Sequence, residues 1–99
     1  MLNKTINKDA VYIELRDNLE IGTVTELIDA LKSREREVVI LDFKNVTYIG
    51  STFLGCIVKI YKELFDTNPN NMILAGVPKN VYKIFEMTGT NRIFKFVDA

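Results

Sequence analysis

The sequence predicts a single small α/β domain over residues 1–99, a mixed and mainly parallel sheet with helices, in the order β-β-α-β-α-β-α-β. Three observations carry that prediction. Val11, Ile13 and Leu15 alternate with Tyr12 and Glu14, the period of a half-buried strand. Val24, Leu27, Ile28 and Leu31 recur at helical spacing. Val38, Val39, Ile40 and Leu41 form an unbroken apolar run, the pattern of a strand covered on both faces. Strands that alternate with helices call for right-handed crossovers and a largely parallel sheet.

Taken in order, residues 2–6 and 10–15 read as an opening pair of strands, antiparallel at one edge. Thr23, three residues before Glu26, matches a capping box at the start of the first helix. The charged run 34–37 reads as a solvated connection, and residues 38–43 as the central strand. Residues 44–50 read as a loop, after which Ser51 begins a second helix with a wide apolar arc through Leu54, Ile57, Val58, Tyr61, Leu64 and Phe65. Residues 66–71 form a turn, and residues 72–75 a buried strand. Pro78 suits the first turn of a third helix, because its missing N–H has no partner there anyway. Val81, Ile84 and Phe85 give that helix its core face, Gly89 ends it, and residues 93–97 form the last strand.

Composition removes several chemistries. There is no histidine, which excludes imidazole acid–base catalysis and imidazole metal ligands. Cys56 is the lone cysteine, so neither an intrachain disulfide nor a cysteine zinc cluster can form. Lys plus Arg equals Asp plus Glu at 13 each, which gives no electrostatic reason to expect nucleic acid or an anionic membrane as partner. The N-terminus lacks the apolar stretch of a signal peptide and no segment has the length of a membrane span, so the cytoplasm is the expected location. No cofactor, metal or small-molecule substrate is expected.

Sites in open α/β sheets form beyond the carboxyl ends of the strands. The segments expected there are 17–22, 44–50 and 76–77. Ser51 and Thr52 fall in the first turn of the second helix, where free N–H groups favour negative charge. Ser51 reads either as an N-cap or as a phosphorylation site. Gly50 to Gly55 lacks the Lys-Ser/Thr of a phosphate-binding loop and the flanking glycines of a nucleophile elbow. Asp17 and Asp42 read as solvated loop charges in preference to a carboxylate pair at the strand ends, and Cys56 as a buried structural thiol in preference to a reactive nucleophile. Phe53 reads either as a core residue or as an exposed aromatic on a partner-binding surface.

Residues 38–49 followed by Gly50-Ser51-Thr52-Phe53-Leu54-Gly55 resemble the central strand and helix start of STAS domains, named for sulfate transporters and anti-sigma-factor antagonists. Leu19-Glu20 resembles that family's Glu-Leu-Asp loop, and residues 85–94 its closing helix-to-strand passage. The resemblance implies partner switching by a stand-alone STAS domain. The unphosphorylated antagonist binds an anti-sigma factor that is also a serine kinase, phosphorylation of the motif serine breaks the complex, and a phosphatase resets it. Carried over, Ser51 is the phosphoacceptor, and Glu20, Gly50, Ser51, Thr52 and Phe53 form the partner-binding set. The family motif usually reads Asp-Ser-Ser/Thr-Gly-Leu-Gly; Gly50 and Phe53 stand here for its Asp and first Gly. Gly50 reads alternatively as a residue that frees the loop backbone for a positive φ. The alternative is a STAS module of a signalling or transport complex that is never phosphorylated.

Overall fold

The computed structural model describes residues 3–19, 21–32, 37–65 and 71–98. What the sequence suggested for residues 2, 20, 34–36 and 66–70 lies outside them. The strands are β1 (Asn3–Ile6), β2 (Ala10–Leu19), β3 (Val38–Ile49), β4 (Met72–Ala75) and β5 (Lys95–Val97). The helices are α1 (Ile21–Lys32), α2 (Ser51–Phe65) and α3 (Lys79–Thr88), with a 3-10 turn at Thr90–Arg92. The element order is the predicted one.

The five strands lie side by side in chain order. β1 is antiparallel to β2, and the other pairings are parallel. Each parallel step moves the chain one strand further in the same direction. Right-handed crossovers then place all the helices on one face of the sheet. Burial agrees: Val11, Ile13, Leu15, Val39, Leu41, Phe43, Met72 and Leu74 share one core with residues of all three helices. The alternating residues Tyr12, Ile40 and Ile73 are only half-buried. The continuous apolar run at 38–41 therefore marks a strand with one face covered by helices, not two as expected.

Aromatic edges lock the far side of the core. Phe85 of α3 makes T-shaped contacts with Phe43, Phe94 and Phe96 at centroid distances of 6.3, 5.9 and 5.3 Å. Gly89 ends α3 at φ 77°, a left-handed conformation glycine adopts without a Cβ penalty, and its N–H donates to the Glu86 carbonyl.

Five boundaries differ from expectation. β2 runs on to Leu19, so residues 17–19 are strand and not the loop expected there. α1 begins at Ile21, so Thr23 lies inside the helix and is not its cap. Pro78 is the N-cap of α3, at φ −63° and ψ 154°, and not in its first turn; its carbonyl accepts from the Tyr82 N–H at 2.8 Å. The last strand starts at Lys95 and not at Ile93, since Ile93 and Phe94 form a turn after the 3-10 segment. Most important, residues 44–49 are not loop but the second half of β3, paired with β2 as far as Leu19–Ile49.

Truncating Phe85→Ala removes the ring that joins α3 to β3 and β5. The expected loss is about 3–5 kcal/mol, read as a lower urea midpoint at an unchanged slope.

Candidate functional site

The site is built by the carboxyl half of the β2–β3 pair. Up to Glu14–Asp42 the register is regular. The next pairs are Arg16–Asn45 and then Asn18–Tyr48, so at each of two irregularities β3 carries one residue more than β2. These are bulges, which re-aim side chains and bend the strand. They change the burial period of β3 from two to three: Phe43, Val46 and Ile49 point into the core, while Lys44, Asn45, Thr47 and Tyr48 are exposed. Asp17 takes φ 60° at the second bulge, a conformation Asp tolerates better than most residues.

Asp42 anchors the first bulge. It is 1% exposed, so it is not the solvated loop charge the sequence suggested. Its carboxylate accepts from the Lys44 backbone N–H at 3.0 Å and from the Tyr12 hydroxyl at 3.3 Å, and pairs with Lys44 Nζ at 3.3 Å. These contacts offset the desolvation of a buried carboxylate. Asp17, by contrast, is exposed as expected. Exposed side chains tie the remaining length: Asn45 Nδ2 donates to Glu14 Oε2 at 3.0 Å, and Thr47 Oγ1 to Asn18 Oδ1 at 2.8 Å. Asn80 Nδ2 of α3 donates to the Thr47 carbonyl at 3.0 Å, which docks the start of α3 on the same arm.

The arm ends by launching α2. The Gly50 N–H donates to the Leu19 carbonyl at 3.0 Å, and the Gly50 carbonyl accepts from Leu54 N–H at 3.0 Å. Gly50 thus holds the cap position. Ser51 is the first helical residue, not the N-cap. Ser51 and Thr52 are exposed, and α2 has no acidic residue in its first turn. Positive φ among the described glycines occurs at Gly76 and Gly89, so Gly50 is not there for a left-handed backbone.

Phe53 is 1% exposed. It packs between α2 and α1 beside Val24, Leu27 and Ile57, around a void of about 10 Å³. An exposed role on the partner surface is thereby corrected: the ring faces the core because position 53 lies on the side of α2 turned toward α1. Cys56 lines the same seam and is half-buried. Glu20 lies outside the described residues. The structure therefore brings Gly50, Ser51 and Thr52 together at one exposed junction and removes Phe53 from it. Sequence reading missed Tyr48, which is 50% exposed three residues before Ser51. The signal for it was the three-residue spacing of Phe43, Val46 and Ile49.

Among the described residues, no group of three or more Cys, Asp or Glu side chains is placed to hold a metal, and no helix is long and apolar enough to cross a membrane.

The model of the STAS domain family matches residues 1–99. This chain belongs to the STAS family. It is 32% identical over 90 residues to an anti-sigma-B factor antagonist of Staphylococcus epidermidis, covering 87% of this chain and 82% of the relative. The phosphorylated form of the Bacillus cell fate determinant SpoIIAA superposes with a TM-score of 0.71 at 18% identity, covering 100% of this chain and 91% of that one. An anti-sigma factor antagonist from Mycobacterium paratuberculosis superposes with a TM-score of 0.79 at 13% identity, covering 97% and 83%. At these identities the two structures establish a shared fold.

Two predictions follow from the geometry. A Cβ at Gly50 would meet the Leu19 carbonyl at 3.7 Å, an ordinary contact. Gly50→Asp should therefore fold normally, and its carboxylate at the cap of α2 should add a few tenths of a kcal/mol, about 0.3, measurable as a raised thermal midpoint. Around Asp42, burial and then the neighbouring carboxylate raise the Tyr12 hydroxyl above its ordinary 10.0. The hydrogen bond to Asp42, and then its charge, raise Lys44 above 10.5. Both groups hold their protons more tightly when folded. Their contribution is complete below the unfolded values and is lost as pH rises through the folded ones. Wild-type stability should thus fall more steeply above about pH 10 than that of Asp42→Asn, which lacks the charge; urea midpoints across that range test it.

Proposed function

We propose that this chain is an anti-sigma-factor antagonist. It binds a kinase-type anti-sigma factor through the surface around Ser51, is released when Ser51 is phosphorylated, and is reset by a phosphatase. The observation that carries the reading is the position of Ser51: an exposed hydroxyl on the first residue of α2, in a chain that is 32% identical to an anti-sigma-B factor antagonist. A kinase can reach such a hydroxyl without unfolding the helix. The phosphate would bring about −1.5 to −2 charges to the helix N-terminus, which tolerates them locally. The same charge would be desolvated inside an interface that had formed around a neutral serine, and this breaks the complex.

In this reading the chain is not an enzyme, works in the cytoplasm, and needs neither cofactor nor direct contact with nucleic acid. It is a single domain over residues 1–99. The burial of Phe53 supports it, since the ring that replaces the motif glycine adds no bulk at the surface. Glu20 takes part in partner binding. One observation favours a second reading, a constitutive interaction module that is never phosphorylated: Gly50 leaves the acceptor without an acidic neighbour on its N-terminal side.

Incubation with Mg-ATP and each kinase-type anti-sigma factor of the same genome, followed by intact-mass measurement, separates the two. Addition of one phosphate, absent in Ser51→Ala, is the expected result. Tight binding to one of these proteins with no added phosphate would instead establish the constitutive module.

A further inference from the structure

We propose that Tyr48 is the anchor of the partner-binding surface, and that the partner receives it in an apolar slot the width of one aromatic ring. The proposal rests on the antagonist reading and deepens it by naming the residue around which the complex is built.

The argument starts from what folding does not require. Tyr48 is a large aromatic left 50% exposed within a strand. The second β3 bulge sets Tyr48 opposite Asn18, and Val46 and Ile49 supply the core contacts on either side of Thr47 and Tyr48. Bulges interrupt a ladder, and here the interruption leaves two consecutive side chains, Thr47 and Tyr48, facing solvent. The backbone beneath them is held firmly. Thr47 bonds to Asn18 through its hydroxyl and to Asn80 through its carbonyl, and Gly50 is pinned to Leu19. A ring on such a base loses little further freedom on binding, which is why tyrosine dominates well-packed interface centres.

Its surroundings define the partner. Asn18, Thr47, Ser51, Thr52 and Asn80 are exposed, polar and uncharged. An aromatic centre with a neutral hydrogen-bonding rim matches a protein face with an apolar slot edged by polar groups. A dianion on Ser51 would place charge beside these neutral groups. The same geometry thus explains both docking and release.

The test uses the full chain and the purified anti-sigma factors, with affinity measured calorimetrically. Tyr48→Ala should weaken binding about tenfold or more, as loss of an anchor does. Tyr48→Phe, which keeps the ring, should stay within about threefold. Met87→Ala, which removes the 77% exposed side chain of α3, should change nothing. Tyr48→Ala binding within about twofold of wild type overturns the anchor and leaves the antagonist reading intact. A wild-type chain that binds none of the anti-sigma factors overturns the antagonist reading, and the anchor with it. Circular dichroism of each variant separates loss of contact from loss of fold.

Discussion

The parallel pairing of β2 with β3 holds the molecule together along more than one axis. It runs from Ala10–Val38 to Leu19–Ile49. Its first half carries the core: Val11, Ile13 and Leu15 lie beside Val39, Leu41 and Phe43, all fully buried. Its second half carries no comparable core on β2, where Arg16, Asp17 and Asn18 are exposed. That half is sustained by Val46, Ile49 and Leu19 from below and by polar cross-links from above. If the pairing stopped at Asp42, Gly50 would lose the Leu19 carbonyl and α2 would start from a free loop. Ser51 owes its fixed place to a strand extension held by a few core side chains and by polar cross-links.

Asp42 sits where the two halves meet. A buried carboxylate destabilises a fold unless each lone pair finds a partner. Here one oxygen takes the Lys44 N–H and the other takes Tyr12 and the Lys44 ammonium. The bond to the N–H two residues on turns the backbone at the bulge itself, so the charge serves the shape of β3. Lys44 reaches the carboxylate while keeping its own side chain 55% exposed.

How much of this was legible follows from which periodicities the bulges preserve. β4 was read to the residue, and α2 and its start at Ser51 were read correctly, because their apolar spacing is that of an undistorted strand or helix. The end of α3 was legible because glycine at a left-handed cap is a local signal. The far halves of β2 and β3 were not. Two extra residues turn the alternation of β3 into Phe43, Val46 and Ile49, a spacing that belongs to no regular strand. Thr23 misled for a different reason: a capping pattern two residues inside a helix looks the same as one at its start, and only the backbone decides. Asp42 read as loop charge because nothing local reveals that Tyr12, thirty residues earlier, lies beside it.

The two departures from the family motif weigh differently once the structure is considered. Phe53 was the larger change in volume, yet it faces α1 and fills space between helices. A glycine there would leave a cavity on the order of an aromatic ring, so the phenylalanine belongs to the packing of this α1–α2 pair. Gly50 is the smaller change in volume and the larger one in chemistry. It keeps the cap backbone, both hydrogen bonds and an ordinary φ, and gives up only a carboxylate. The surface around Ser51 is therefore intact in shape and neutral where the motif is acidic. In the antagonist reading proposed above, a partner would meet a neutral junction, and a phosphate on Ser51 would add its charge against that neutral background.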